Sequence, residues 1–306
     1  MSFFLTILGA GGAVPAHGRF PSAQYLEIHN RHFLIDCGEG TQFQLMRYQI
    51  RFHQIERIFI SHLHGDHYLG LMGLLSTMHL QNRTKDLHLY SQPGLDEMLC
   101  LHFKHSKTVL RYKLHFHYLS AENPSVLFED EVMTVEGIPL KHKLPTTGFL
   151  FKEKERHRKI DKTKLPPGIL LQHIIALKQG QDVKDENGNL LYKNKDYTIP
   201  GRAPVSYAYC TDTAYQENLA EQVKSVDLLY HEATFMNLHE DKAEETLHST
   251  AAQAAQLASK AQVKQLLLGH FSSRYKLLDG LLNESREKFP NVRLAQEGEI
   301  IDLYTL

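Results

Sequence analysis

Residues 60–73 read ISHLHGDHYLGLMG and place His62, His64, Asp66 and His67 within six positions, directly after an apolar run. His62 and His64 alternate by two, so in extended backbone leaving a strand both point to the same side and can grip one ion. Asp66 and His67 follow Gly65, where a sharp turn can swing them away from the first pair and toward a second ion. Two cations about 3.5 to 4 Å apart can activate a water between them and neutralise both the attacking and the leaving oxygen of a phosphate ester displacement. Imidazole nitrogens with carboxylates favour zinc, with manganese or iron as alternatives. A chance histidine cluster on a loop is the competing reading, and the spacing argues against it.

The chain of 306 residues has room for one large layered domain or two ordinary ones. Its 34 Lys and Arg against 35 Asp and Glu leave no global basic field to hold a polyanion, so a nucleic-acid partner must be met by local patches. Cys37, Cys100 and Cys210 are odd in number and scattered, which suits a reduced, cytoplasmic protein better than a disulfide framework; all three are read as buried thiols. The opening MSFFLTILGAGGAVP has no basic residue before its apolar run and a glycine-rich turn after it, so it reads as a first strand rather than a signal peptide. No segment approaches the roughly 20 apolar residues of a membrane-spanning helix, and no membrane partner is expected. Twenty histidines are the unusual feature of the composition.

Short β-rich runs alternate with helical ones, the pattern of an α/β or layered α+β domain. RHFLIDCGEGTQFQL reads as a strand ending in Asp36 that turns on glycines into a helix, and RIFISHLHGDH as a second strand ending in His62. The second half repeats the order: VSYAYCTDTAY ends near Asp212, DLLYHEATF in His231 and KQLLLGHFSSRY in His270. HSTAAQAAQLASKA is an alanine-rich helix that Ser249 or Thr250 could cap. Polar residues just past the ends of strands that share an edge point the same way, so ligands can converge from distant sequence. Taken singly, each is equally well a solvated strand end. From about Thr147 to Gly201 the texture changes to charged residues with Pro, Gly and Asn turn signals around one apolar island, ILLQHIIAL. Residues 148–200 are expected to form a projecting, flexible arm. Within it, residues 152–164 hold seven Lys and Arg against three acidic residues, a net charge of +4.

HLHGDH resembles the HxHxDH signature of the metallo-β-lactamase superfamily, an αββα sandwich with a dinuclear site along one edge of its two sheets. The wider sequence is similar to the short-form ribonuclease Z family, the endonucleases that trim the 3′ trailer from precursor tRNA. The resemblance runs through LGAGGAVP, IDCGEGTQ, HLHGDHYLGL, HKLPTTGFLF, LPPG…LKQGQDV, CTDT, HEATF, LHSTAAQAA and GHFSSRY. It implies a single domain over residues 1–306 with the arm inserted as an exosite, a precursor tRNA substrate, a homodimer, and cleavage that leaves a 3′-hydroxyl on the tRNA and a 5′-phosphate on the trailer.

Carried over by position, the resemblance implies two zinc ions per chain. One would be held by His62, His64, His142 and Asp212, the other by Asp66, His67, His270 and the bridging Asp212. One carboxylate shared between two cations lowers their repulsion and fixes their separation. Asp36 resembles the superfamily's supporting aspartate, and a turn-forming Asp beside glycine is the alternative. Glu232 and His248 match the pair that delivers a proton to the leaving 3′ oxygen, the carboxylate orienting the imidazole. Asp66 matches the proton acceptor for the attacking water, a role read here as water orientation with transient proton transfer. His231 stays open between packing and function. Arg19, Ser272 and Arg274, with Lys154, Arg156 and Arg158 of the arm, are the expected substrate contacts.

The chain departs from the family pattern in places. The loop PxKxRN is PAHGRF here, with His17 and Phe20 where Lys and Asn would stand, which bears on selection of the tRNA 3′ end. Cys210 and Thr211 replace Ser-Gly before Asp212, and the arm's Gly-Pro is Gly168-Ile169. None of these removes a ligand. Two other functions compete: a small-molecule hydrolase of the same fold, acting on a thioester, lactone or phosphodiester, has no need of a basic arm or of the Glu232 and His248 pair; a silent RNA-binding subunit would be expected to lose ligands, and every ligand position is filled.

Overall fold

The computed structural model describes residues 2–306. The first strands are β1 (Phe3–Gly9), β2 (Ala23–Ile28), β3 (Arg31–Ile35), β4 (Arg57–Phe59), β5 (Leu87–Ser91), β6 (Leu114–Tyr118), β7 (Ser125–Glu129), β8 (Met133–Leu140) and β9 (Thr146–Glu153). The short β10 (Lys159–Ile160), β11 (Val183–Lys184), β12 (Leu190–Tyr192) and β13 (Thr198–Ile199) follow. Last come β14 (Ser206–Cys210), β15 (Leu228–Glu232), β16 (Gln265–Gly269), β17 (Val292–Leu294) and β18 (Ile300–Asp302). Two seven-stranded sheets result, in the orders β18-β1-β2-β3-β4-β5-β6 and β17-β16-β15-β14-β9-β8-β7. Strands β3 to β6 run parallel, as do β14 to β17, while β18, β1, β2 and β3 pair antiparallel.

Side chains alternate across a strand, and here both faces of the central strands are covered, which is why their sequences read as continuous apolar runs rather than as alternation. In the first sheet Leu34, Ile58 and Leu89 turn outward into a cluster with Leu45, Leu71, Leu74, Leu75, Met78, Leu95 and Leu99, the buried stripes of the helices Thr41–Arg47, Leu71–Leu80 and Leu95–His105. Their sequence neighbours turn inward to the second sheet. Phe33 meets Phe151 with ring centroids 5.5 Å apart, and Phe59 meets Phe149 at 5.2 Å. On the far side of the second sheet, the helix Ala251–Ala261 lies against β15 and β16 through Ala254, Ala255, Leu257 and Ala258. Its small side chains permit that close approach. Thr250 caps it through a reciprocal box with Gln253, so of the two expected caps the threonine takes the role.

By internal contacts the chain forms two compact units. One comprises the residues through Phe128 with Val135–Phe151 and Ser206–Leu306, the other Glu129–Thr134 with Lys152–Val205. In the second unit the apolar island forms the helix Leu171–Lys178, of which Leu177 is buried. Asn194 donates its carboxamide to the Leu177 carbonyl, and the Thr198 hydroxyl donates to the Asn194 carbonyl at 2.7 Å. The Asp185 carboxylate accepts the Asn187 and Asn189 N–H groups at 2.9 and 2.8 Å and closes the turn between β11 and β12.

Cys37 and Cys210 are buried as expected, but Cys100 is exposed. It lies on the helix Leu95–His105, whose inward stripe consists of Leu95 and Leu99, and position 100 falls outside that stripe. No helix among the described residues is long and apolar enough to cross a membrane.

Candidate metal centre

The strands β3, β4, β14, β15 and β16 stop at neighbouring positions, and the segments leaving them carry the polar residues. Asp36 follows β3, Asp212 follows β14 and His270 follows β16, all three with left-handed backbone, at φ of 55°, 47° and 54°. Such conformations cost of order 1 kcal/mol or more for a residue with a Cβ, so the surroundings must hold them. After β4 the chain runs on through Ser61 and His62, bends at Leu63 and His64, where the φ and ψ of His64 are −77° and 145°, and then enters the one-turn helix Gly65–Tyr68. The turn expected after Gly65 is therefore the first turn of a helix, and it directs His67 toward Asp212 Oδ2 and His270, with its ring still 4.2 Å from that of His62.

Two groups of side chains converge on the two oxygens of one carboxylate. His62 Nε2 and His142 Nε2 lie 3.7 and 3.8 Å from Asp212 Oδ1. His64 Nδ1 closes this group at 2.9 Å from His62 Nε2 and 3.3 Å from His142 Nε2. On the other side, His67 Nε2 and His270 Nε2 lie 3.2 and 3.3 Å from Asp212 Oδ2, and each is 3.4 Å from Asp66 Oδ2. The donor atoms of His62, His64, His142 and Asp212 are all within 4.8 Å of one another, and so are those of Asp66, His67 and His270. His62, His67, Asp212 and His270 are buried, whereas His64, Asp66 and His142 are half-buried.

The nitrogens turned away from this centre are anchored. His67 Nδ1 donates to Asp36 Oδ2 at 2.7 Å, and His142 Nδ1 donates to the Leu247 carbonyl at 3.0 Å. His270 Nδ1 lies 2.9 Å from the Thr234 hydroxyl. With those protons on Nδ1, each Nε2 presents a lone pair inward. The Nε2 atoms of His67 and His270 are buried and make no sound hydrogen bond among the described residues. Inward lone pairs without donors, set among carboxylate oxygens, fit a pair of cations. Asp36 also accepts the Ser61 N–H at 2.7 Å and the Tyr209 hydroxyl at 2.7 Å, so the carboxylate behind His67 is held from both sheets.

The electrostatics follow the same pattern. Burial alone would raise the Asp212 and Asp66 carboxyls, but His270, His67 and His62 around the first, and His67 and His270 around the second, hold both far below the usual carboxylate range. Burial would lower His67, yet Asp212, Asp66 and Asp36 push it well above the ordinary histidine value, so that without a cation a proton on the inward Nε2 takes the cation's place. Buried carboxylates that stay ionised call for positive charge between them.

Beside Asp212, His248 Nδ1 donates to Glu232 Oε1 at 2.8 Å and lies 3.9 Å from Asp212 Oδ1, so that with Asp212 and His270 it forms a further set of donor atoms within 4.8 Å of one another. Burial would lower this imidazole, but the Glu232 carboxylate pushes it up to about 9. Glu232 is fully buried and also accepts the Thr213 N–H at 2.7 Å. His231 directs its Nδ1 to the Glu232 carbonyl at 2.8 Å and joins none of the ligand groups.

The expected substrate contacts have other partners close by. Arg19 donates to the carbonyls of Tyr275, at 2.5 Å, and Lys276, and His17 reaches the Ser273 carbonyl at 2.8 Å, which ties the loop around Arg19 to the one after His270. Arg274 is exposed and lies over the Phe235 ring, 5.3 Å from its centroid, and the Ser272 hydroxyl accepts the Arg274 N–H at 3.4 Å. In the second unit Lys154 pairs with Glu129 at 2.5 Å, Arg156 with Glu153 at 2.8 Å, and Arg158 donates to Thr198 Oγ1 at 2.6 Å. Arg156, His157, Arg158, Lys178 and Arg202 line a cavity of about 520 Å³ there. Gly12 supports the centre from the glycine-rich loop: a Cβ at this position would stand 2.7 Å from the His270 ring.

Ser61, Tyr209 and Thr234 were not singled out by the sequence. Each is an ordinary polar residue at a strand or strand end, and nothing local distinguishes it.

Comparison with known proteins assigns the family. Residues 3–156 match a family model described as "Anti-Pycsar protein Apyc1", and residues 195–271 match the β-lactamase superfamily domain. The chain is 46% identical to the ribonuclease Z of Cytophaga hutchinsonii, over 97% of this chain and 95% of that protein. It is 42% identical to the ribonuclease Z of Bacteroides thetaiotaomicron, over 98% and 95%. The crystal structure of human tRNase Z, short form, superposes with a TM-score of 0.69 at 29% identity, covering 98% of this chain and 99% of that one.

Asp212→Asn tests the shared carboxylate. Asparagine keeps the volume and tolerates left-handed backbone, but it offers one neutral oxygen where the two groups need two charged ones. Metal analysis of the purified variant should give clearly fewer than two equivalents per chain with the fold retained. Two tightly held ions would show that Asp212 is no bridge.

Proposed function

The chain belongs to the ribonuclease Z family of the metallo-β-lactamase superfamily, and from that premise we propose how it acts as a tRNA 3′-processing endonuclease. Precursor tRNA is cut before its 3′ trailer, leaving a 3′-hydroxyl on the tRNA and a 5′-phosphate on the trailer. The observation that carries this reading is the Glu232–His248 pair at 2.8 Å, set against the two groups of side chains that converge on the oxygens of Asp212. A hydrolase of small thioesters or lactones has no use for it.

His62, His64, His142 and Asp212 would hold one cation, and Asp66, His67, His270 and Asp212 the other. The nitrogen-rich, oxygen-containing donor set supports zinc, with manganese or iron as alternatives. When bound, such ions supply Lewis acidity and make a water nucleophilic near neutral pH. Asp66 is half-buried and accepts the Ala13 N–H at 2.8 Å through Oδ2, a placement that supports orientation of the attacking water and transient acceptance of its proton. His248 keeps one nitrogen on Glu232, which leaves its Nε2 to donate a proton to the departing 3′ oxygen.

Lys154, Arg156 and Arg158 belong to a basic arm that binds the tRNA body, and its local charge of +4 over residues 152–164, with the cationic cavity, supports this. Arg19, Ser272 and Arg274 would meet the tRNA near the cut. We assign the protein to the cytoplasm, a reading supported by its free cysteines. Two copies would associate through an apolar face that includes Phe43 and Met46, 71% and 55% exposed and three residues apart on one helix. Light scattering should return the mass of a dimer, and Phe43→Glu should return that of a monomer.

His248→Ala should slow single-turnover cleavage of precursor tRNA by about 10² to 10⁴ with the metal content unchanged. An unaltered rate would remove the proton-delivery role, and lost metal would make His248 a ligand instead.

The arm can be removed cleanly. Glu153 and Val205 are joined by a backbone bond of 3.1 Å, from the Glu153 N–H to the Val205 carbonyl, so a short Gly/Ser bridge can replace residues 154–204. Uniform binding energy lowers KM without raising turnover, so the shortened enzyme should show a strongly raised KM for precursor tRNA and a flatter salt dependence. Hydrolysis of bis(p-nitrophenyl) phosphate should survive. Unchanged tRNA affinity and salt slope would make the arm a linker.

A further inference from the structure

Thr234 has a single hydroxyl, 6% exposed as a residue, yet four groups crowd it. His270 Nδ1 is 2.9 Å away, the His270 carbonyl 3.1 Å and His248 Nδ1 3.4 Å, and Glu232 Oε2 is in short contact. A hydroxyl carries one hydrogen and two lone pairs, so these contacts cannot all be satisfied alike.

The directions can be worked out from the neighbours. His270 Nε2 faces the carboxylates of Asp66 and Asp212, and a ligating nitrogen carries no proton. Its Nδ1 must then be N–H, and the Thr234 hydroxyl, 2.9 Å away, accepts it. His248 Nδ1 already donates to Glu232 Oε1, along with the Thr213 N–H. What remains for the Thr234 hydrogen is the strongest acceptor beside it, the free oxygen of the Glu232 carboxylate. The resulting chain runs in one sense: His270 Nδ1–H to Thr234 Oγ1, Thr234 O–H to Glu232 Oε2, and Glu232 Oε1 to the N–H of His248.

We infer that Thr234 is a positioning residue that links the two halves of the centre, fixing the ring orientation of His270 for the metal and the carboxylate of Glu232 for proton delivery. The link matters for His270 because an imidazole turned by 180° about its ring axis has nearly the same shape. Only a hydrogen bond at Nδ1 distinguishes the orientation that presents Nε2 from the one that presents a carbon. For Glu232, loss of the Thr234 donor leaves one buried carboxylate oxygen without a short partner, and the carboxylate can rotate away from His248. This rests on the proposed metal and proton-delivery roles.

The test uses two variants of the full-length enzyme. Thr234→Val keeps the β-branched shape and removes the hydroxyl; Thr234→Ser keeps the hydroxyl and removes the methyl. Zn²⁺ affinity is measured by competition with a chelating dye, the His270 tautomer by long-range ¹H–¹⁵N correlation on ¹⁵N-histidine protein, and single-turnover precursor tRNA cleavage at saturating Zn²⁺. Thr234→Val should weaken the more labile Zn²⁺ by about 10- to 100-fold, remove the Nδ1–H signature of His270, and still cleave more than about tenfold slower when saturated with metal. Thr234→Ser should restore all three to near wild type. A valine variant that binds and cleaves normally overturns the inference. So does a serine variant as defective as the valine one, because the methyl's packing would then be the cause. Weaker Zn²⁺ with a normal saturated rate would overturn the link to Glu232 and His248. The affinity and tautomer readouts need no RNA, so they judge Thr234 even if precursor tRNA proved not to be the substrate.

Discussion

Asp212 puts a carboxylate with 2% exposure between two groups of imidazoles, and the burial of that one charge governs most of what surrounds it. An isolated carboxylate away from water costs many kcal/mol, and in practice it would take up a proton. Here it is kept ionised by His270, His67 and His62. Those rings in turn must be anchored so that they face it, and their anchors, Asp36 and Thr234, are themselves buried polar groups that need partners. Asp36 finds them in Ser61 and in Tyr209 from the opposite sheet, and Thr234 finds them in Glu232 and His270. A half-satisfied network of this kind would be worse than an apolar core, so the fold has to satisfy it throughout.

Parallel strands make that possible. The register of β14 with β15 pairs Cys210 with His231, and that of β15 with β16 pairs Glu232 with Gly269, so Asp212, Thr234 and His270 all leave the second sheet within a residue or two of one edge. The first sheet does the same, with Ile35 paired to Phe59 and with Asp36 and Ser61 just beyond. An antiparallel arrangement would send alternate strand ends to opposite edges. The facing aromatic rings of Phe33, Phe59, Phe149 and Phe151 then bring the two edges together, and Tyr209 spans the gap to Asp36. Core packing and site geometry are one problem in this chain: a shift of one sheet over the other would misplace the anchor behind His67.

This explains what could be read in advance. His62, His64, Asp66 and His67 were legible from spacing because they lie in one short segment whose local geometry, strand then helical turn, decides their directions. The strand ends at Asp36, Asp212 and His270 were legible as places where polar residues follow apolar runs. Their grouping into ligand sets came from family resemblance, since the partners drawn from separate segments lie 58 to 204 residues apart, by their numbers in the chain. Left-handed backbone at three of these positions left no trace, because none of them is glycine. Tyr209 and Thr234 were invisible for a different reason. Each acts through a contact with a residue on another element, and a tyrosine in a β-rich run or a threonine after one is ordinarily just a strand former. Cys100 was misjudged by residue type alone: cysteine is usually buried, but the helix turns this position away from its apolar stripe.

Cations held by the donor groups around Asp212 would engage any phosphodiester, so choice of substrate has to come from outside them. Several contacts tie the glycine-rich loop to the segment after His270, among them Gly12 N–H to the Phe271 carbonyl, Phe271 N–H to the Ala10 carbonyl, His17 to the Ser273 carbonyl, and Arg19 to the carbonyls of Tyr275 and Lys276. They make the PAHGRF and GHFSSRY stretches a single rim, continuous with the ligand His270 and, through Ala13, with Asp66. Residues in such a rim do not act independently. His17 is committed to a contact between the loops, and the Phe20 N–H donates to Glu297 Oε1 at 2.6 Å. A change at either position therefore alters the rim as a unit, and with it the contacts that lead to Asp66 and His270.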